Sequence, residues 1–444
     1  MLFSLFLSLF HIAHAEEVIW DGHYRTQAHF YKSLSISQSN SNAIDSITYA
    51  NHWMNLRPTW QISNKVSVHA QMDMLYLQNL GTTPITYIDP AWSNASLSFA
   101  DSVSSPGNEI NISRAWAEVN SDIGLIRFGR MPVHWGSGMV FNAGYKPTQF
   151  VGDTADRIQY SKQFAPVFVL AAIESRNSGY VSTGNNSIAG TLSVYYANER
   201  ISGGLYNVIA KETNTDGTAT KFTQLTTDGY FGADFGALDV QAELALQYGS
   251  GDLPNGLDEI TQLAFGGTLD AQLKMEEIQV GLQAGYASGD ADVNDKKYTQ
   301  FVFDRNFDIS LMLFDQVMPT LAPINPTTSN GGLELSAARV GNGISNALYA
   351  QPRVSYQLTP TFRPEFRALF ARTVALPDSE AGNTNYGVEL NANLYYQPLE
   401  KFELRGQLGY LFLGNYLTKY NNVDFGGGFD TNPYGMELNA IVHF

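Results

Sequence analysis

Apolar and polar residues alternate along almost the whole chain, and the alternation is sharpest at its end. Tyr434, Met436, Leu438, Ala440, Val442 and Phe444 share one parity, while Gly435, Glu437, Asn439, Ile441 and His443 take the other. Only an extended strand sends successive side chains to opposite sides. Two further stretches repeat the pattern. Phe402, Leu404, Leu408, Tyr410 and Phe412 alternate with Glu403, Arg405, Gln407 and Gly409, and Tyr386 to Tyr396 alternates with Gly387, Glu389, Asn391 and Asn393. The aromatic pairs Tyr386/Tyr396 and Tyr434/Phe444 each stand ten residues apart. Ten residues at about 3.3 Å, on a strand tilted by about 40°, climb roughly 25 Å, the height of the apolar band of a membrane β-barrel between its two aromatic girdles.

Carried along the chain, the pattern predicts strands near 22–35, 51–62, 65–79, 109–119, 125–131, 156–163, 166–176, 187–197, 201–211, 221–235, 238–249, 259–273, 277–287, 343–358, 361–374, 384–396, 401–413 and 432–444. Every second connection is short: Ser63-Asn64, Asn120–Gly124, Phe164-Ala165, Asn198–Arg200, Gly236-Ala237, Lys274–Glu276, Thr359-Pro360 and Gln397–Glu400. The alternate connections include the long stretches 80–108, 132–155, 288–342 and 414–431. The expected fold is therefore all-β: a single transmembrane antiparallel β-barrel of about eighteen strands, with short periplasmic turns and long outer loops. Sixteen strands is the alternative, because 125–131 and 156–163 carry the weakest alternation.

The start of the chain adds a targeting segment. An apolar run Leu2–Phe10 followed by Ala13-His14-Ala15 predicts a signal peptide over 1–15 with cleavage before Glu16, although its first residues carry no Lys or Arg. The barrel then occupies 16–444 and begins so early that no plug domain precedes it. No stretch after residue 15 approaches the roughly 18 apolar residues of a membrane helix. These features predict the bacterial outer membrane, with lipid and lipopolysaccharide as surroundings. Composition narrows the chemistry further. A net charge of −16 argues against a nucleic-acid partner, and zero cysteines exclude a disulfide scaffold or a thiolate metal site.

The faces opposite the apolar ones define a lumen. They carry Arg25, Arg57, Arg114, Arg127, Arg353, Arg363, Arg367 and Arg405 beside Asp73, Glu118, Asp239, Glu243, Glu365, Glu389, Glu403 and Glu437. Such a lining suits a water-filled, mixed-charge channel for polar or charged solutes, and it equally suits Arg–Glu ladders that brace the wall. An eighteen-strand lumen is too wide for side chains alone to fill, which favours the channel. Loop 132–155 carries glycines and aromatics instead of the Ser and Asn of a solvated loop. It follows Arg127-Phe-Gly-Arg130, so it is a candidate inward constriction with Arg127 and Arg130 at its root; packing on the rim is the alternative. In loop 288–342, Asp290, Asp292 and Asn294 place oxygens at alternate positions, as Ca²⁺ favours. Asp295 stands where an EF-hand needs glycine and Phe301 where it needs glutamate, which points instead to a solvated acidic turn. No other cofactor is implied.

The alternation ending in Phe444 resembles the signal by which bacterial barrel-assembly machinery recognises its clients. Arg127-Phe-Gly-Arg130 with the Gly-rich segment after it, and Tyr286-Ala-Ser-Gly-Asp-Ala-Asp292 followed by Phe303-Asp304, resemble the alginate-export family. That resemblance implies an eighteen-stranded monomeric barrel with an Arg-lined constriction for an anionic polysaccharide, and it carries over only Arg127 and Arg130. The near balance of carboxylates and arginines departs from the family pattern. Two other functions stand as alternatives. An enzyme would need His134 and Ser137 brought together with Asp153 or Asp156. A surface adhesin or structural barrel would bind its partner through loops such as 80–108.

Overall fold

A computed structural model describes residues 17–34, 46–79, 110–149, 151–175, 186–213, 221–253, 257–292, 295–318, 343–376, 382–419, 429 and 431–444. The predicted signal segment 1–15 and the loop 80–108 lie outside the described residues. The strands are β1 (Glu17–Lys32), β2 (Ser46–Ser63), β3 (Val66–Asn79), β4 (Asn111–Ser121), β5 (Gly124–Pro132), β6 (Thr154–Phe164) and β7 (Val167–Ser175). They continue as β8 (Asn186–Ala197), β9 (Ile201–Thr213), β10 (Lys221–Asp234), β11 (Leu238–Leu253), β12 (Leu257–Met275), β13 (Ile278–Ala287) and β14 (Lys297–Tyr298). The last are β15 (Ala347–Tyr356), β16 (Phe362–Arg372), β17 (Asn385–Leu399), β18 (Phe402–Leu413) and β19 (Tyr434–His443).

Each wall strand pairs antiparallel with its sequence neighbour. The exception is β14, a two-residue parallel addition to β12. The wall bypasses it, since β13 pairs directly with β15 from Ile278↔Tyr356 to Ala287↔Ala347. The ring closes between β1 and β19, from His23↔His443 to Lys32↔Tyr434. Nineteen strands less β14 leave a closed barrel of eighteen. All eighteen segments expected from the alternation are strands. The two weakest, β5 and β6, pair in unbroken register from Leu125↔Ser161 to Pro132↔Thr154.

The polarity of the wall is inverted relative to a protein folded in water. Ile173 is 71% exposed and Leu244 70%, whereas Arg25, Glu243 and Glu389 are 0% exposed. A continuous outward belt of Leu, Ile, Val and Phe is stable only against hydrocarbon. Aromatic side chains border that belt. Toward the long loops, Tyr410 stacks on Tyr434 with centroids 6.2 Å apart, and Phe30 flanks Tyr434 at 6.1 Å. At the opposite end Phe444 lies over Gly22, where a Cβ would stand 2.8 Å from the ring and 2.2 Å from the Asn55 carbonyl oxygen. Only glycine lets the closing residue sit this tightly on β1.

The inversion gives a test. Leu244→Arg places a charge mid-strand on the lipid face and is expected to cost about 2–4 kcal/mol. Gln241→Arg, on the same strand but lining the water-filled interior, should cost little. Denaturant unfolding of the two variants in lipid vesicles compares them; equal losses would refute the assignment of faces.

Candidate functional site

Two of the long loops turn into the barrel. The first runs from 133 to 153, beyond Pro132, which ends β5 without a donor for the next strand. Its apolar residues Val133, Trp135, Met139, Val140 and Phe141 are buried. Trp135 packs on Tyr195 of β8 and Tyr206 of β9, with centroids 5.7 and 5.2 Å away, and Phe141 meets Tyr206 at 5.1 Å. Polar anchors hold the backbone. The Ser137 amide and hydroxyl both donate to Glu243 of β11, at 2.5 and 2.6 Å. Gly136 makes this approach with φ +55°, and a Cβ there would fall 2.4 Å from the Glu243 carboxylate. On the other side, Arg114 of β4 donates to Gln71 at 2.8 Å and to the Ala143 carbonyl at 2.6 Å. Arg25 of β1 donates to the Pro147 carbonyl at 3.0 Å, its guanidinium 5.3 Å from the Trp53 ring centroid. β1 and β11 stand eight steps apart by the shorter way round a ring of eighteen. A loop fastened to both crosses the lumen.

The second infolded segment is 299–318. Phe301, Phe303, Ile309, Leu311, Met312, Leu313 and Phe314 are buried, and Leu313–Val317 forms a short helical turn. Glu389 of β17 accepts the backbone N–H groups of Leu311, Met312 and Leu313 at 2.9, 3.0 and 2.7 Å. Gln351 of β15 donates to the Ile309 carbonyl at 2.6 Å. The two segments meet mid-lumen. The Asp304 amide donates to the Met139 carbonyl at 2.7 Å, Gln149 donates to the Asn306 carbonyl at 2.8 Å, and Arg305 donates to the Val151 carbonyl.

Together the loops form a bar across the barrel and leave space against the wall, lined by Gln27 of β1, Gln241 of β11, Asp270 of β12, Arg367 of β16 and Glu437 of β19. A cavity of about 370 Å³ is lined by Lys146, Arg305, Asp308, Asp315, Arg367 and Arg405, among others. A second, of about 540 Å³, lies by the short turns at Pro360 and Gln397, and includes Arg363 and Glu403 in its lining. Both are lined by Lys146, Tyr395 and Arg405. There Arg363 stands 4.3 Å from the Tyr395 ring centroid and Arg405 6.0 Å.

The residues expected to line the lumen take three different positions. Arg363, Arg367 and Arg405 border the cavities. Pairs within the wall hold Arg57 to Asp21 at 2.7 Å and Arg353 to both oxygens of Asp270 at 2.8 and 2.6 Å, and Arg367, besides bordering the cavity, pairs with Glu365 at 2.7 Å. Glu118 draws in Arg127 at 2.9 Å and the Trp116 indole N–H at 3.1 Å. Arg127 therefore belongs to the wall lattice and not to the root of a constriction. Arg114 and Glu389 anchor the loops and do not line the water path. Arg130 corrects the expectation outright. It faces outward beside Phe128 and makes a two-pronged pair with Asp156, at 2.8 and 2.7 Å, both side chains about half exposed. Three residues along a strand reverses the face, so Arg127 and Arg130 never share a site. Lys146, Arg305, Asp308 and Asp315, all from the infolded loops, were missed; no periodicity marks which way a loop residue points.

His134 and Ser137 do not form a pair. The Ser137 hydroxyl is spent on Glu243, and His134 Nδ1 accepts the Ala143 amide at 3.3 Å. Partial burial holds the His134 imidazole below its ordinary value, against the opposing pull of Asp153. Asp290 accepts the amides of Asp292 and Thr299 at 3.1 and 3.2 Å, and burial pushes its carboxyl up. Asn294 lies outside the described residues. Among the described residues, no group of three His, Asp or Glu gathers as a metal site.

Solved structures share this architecture. Similar ones are the outer-membrane protein OpdK of Pseudomonas aeruginosa (12% identity, TM-score 0.54, covering 97% of this chain and 99% of that one) and OpdO of the same organism (13%, 0.55, 98% and 99%). The P. aeruginosa protein OccK11 matches at 9% identity and TM-score 0.51, over 96% of each chain. At these identities the likeness is one of fold. No protein-family model and no curated protein matches the sequence.

The outward position of Arg130 is testable. Arg130→Ala removes an ion pair on the outer face and should leave transmembrane conductance unchanged. Arg127→Ala, which strands Glu118 inside the lumen, should alter the charge preference of any current. A conductance change in the Arg130 variant alone would reverse the assignment.

Proposed function

We propose that this chain is a bacterial outer-membrane channel for passive diffusion of small polar or charged solutes. The observation that carries the reading is the pair of polar cavities between the infolded loops and the wall, which share Lys146, Tyr395 and Arg405 in their lining. A bar bolted to opposite walls narrows the lumen without filling it, and what remains is lined by charged side chains and open to water. The fold shared with outer-membrane proteins supports the same reading; one of them, OpdK, has been solved with vanillate.

Charge along the route is uneven. In the first cavity Lys146, Arg305, Arg367 and Arg405 face Asp270, Asp308, Asp315 and Glu437. At the lower cavity Lys146, Arg363 and Arg405 outnumber Glu403. This distribution favours weak selectivity overall with a modest anion preference set near the short-turn end, which the strand parity places in the periplasm. Export of an anionic polysaccharide is the less supported reading, because only one of its two candidate arginines points inward. On the outer wall, Lys211 and Arg372 are exposed at the long-loop ends of β9 and β16, where lipopolysaccharide phosphates would lie. The β19 strand ending in Phe444 is the element offered to the assembly machinery.

Purified protein in a planar bilayer should give discrete, stable open steps, smaller than an empty barrel of this width would allow. A sealed bilayer would sink the channel reading. In a salt gradient, the combined substitution Lys146→Gln, Arg363→Gln and Arg405→Gln should move the reversal potential toward cations. An unmoved potential would place selectivity elsewhere.

A further inference from the structure

We infer that the two infolded loops act as one mechanical element whose docked state, and hence the width of the route, is set from the wall by Glu389. The inference rests on the channel reading for its consequence, but its structural content stands apart from it. Glu389 touches no part of either cavity. It is 0% exposed, and its two carboxyl oxygens accept three consecutive amides of the segment that opens the helical turn. Those amides begin a helical turn and have no partner within it, so without Glu389 they would be buried and unsatisfied. Apolar packing alone would let this segment slide along the wall. Three hydrogen bonds to one carboxyl group define its height and rotation.

The segment held by Glu389 runs directly into the junction with the other loop. From Leu311 back to Asp304 is seven residues, and Asp304, Arg305 and Asn306 each bond the first loop. The first loop is in turn held by Arg25, Arg114 and Glu243 on other strands. The anchors therefore act in series. Freeing the Glu389 end leaves the junction without its anchor on β17, and a displaced junction moves Lys146, which borders both cavities.

Glu389→Gln tests this. An amide side chain offers one oxygen where the carboxyl group offers two, and turns its own N–H₂ toward a backbone donor. The docked-to-released ratio should fall roughly ten- to thirtyfold. Hydrogen exchange of the 311–313 amides should quicken by that factor. If the loops are one element, the amides of Trp135 and Gly138, bonded within the far loop, should also quicken. In single-channel traces the variant should show a larger mean conductance and more open-state noise. Gln351→Leu, which removes the neighbouring bond to Ile309, should reproduce the effects in milder form. The unfolding temperature of each barrel is followed in parallel to show that the wall is intact.

Faster exchange confined to 311–313, with Trp135 and Gly138 unchanged, would overturn the coupling of the loops. Unchanged exchange at 311–313 would overturn the role of Glu389. Wild-type protein that conducts nothing would defeat the channel reading while leaving both exchange outcomes decisive for the loops.

Discussion

Backbone hydrogen bonding in hydrocarbon is the constraint on which the rest of this structure depends. A strand edge facing lipid leaves a row of amides and carbonyls unpaired at several kcal/mol each, so a sheet in a membrane has to close on itself. Here closure is made by β1 and β19, strands from the two ends of the described chain. Side chains reinforce the seam from inside. Glu437 of β19 accepts from Gln27 at 2.8 Å and from Tyr31, and its carboxylate lies 3.1 Å from His29, all three on β1. The join is thus held by main-chain hydrogen bonds within the sheet and by a polar cluster on the lumen side.

Closing eighteen strands creates the next difficulty. The resulting cylinder is wider than side chains from its wall can span. Much of the wall's charge is turned sideways, into pairs such as Arg57–Asp21 and Arg127–Glu118, which brace neighbouring strands and leave the centre empty. The centre is filled instead by the loops, which bring in an apolar cluster that includes Trp135, Met139, Phe301, Phe303 and Leu313. A barrel with lipid outside and water inside thereby acquires a second, smaller hydrophobic core within its own lumen. The open space is what this core leaves uncovered, and β1, β11 to β13 and β16 to β19 all contribute to its lining.

The wall was legible in the sequence because a strand between lipid and water has to alternate. That requirement marks every strand, including the weak β5 and β6, and gives the facing of Arg353, Glu365 and Glu389. It also holds the information that Arg127 and Arg130 lie on opposite faces, since they differ in parity. The composition of 132–155 pointed inward for a sound reason: Trp135, Met139 and Phe141 have no place on a solvated loop. What could not be read was the partner of each inward group. Glu389 looks like any lumen carboxylate until the backbone of 311–313 is placed against it. Lys146 and Asp308 sit in segments whose direction is set by contacts far away in the chain.

The seam has a consequence for the history of each molecule. Residues His23 and His443, paired at closure, are separated by nearly the whole chain, so the contact that completes the fold has the highest entropic cost of any in it. Until that contact forms, the sheet carries two free edges, on β1 and on β19, each able to pair with a strand from another molecule. The vulnerable species is therefore not the unfolded chain but the nearly finished one, curled and open along a single line. A chaperone that shields only hydrophobic surface would leave this line exposed. Safe passage to the closed state calls for something that itself lends a strand edge until β1 and β19 meet.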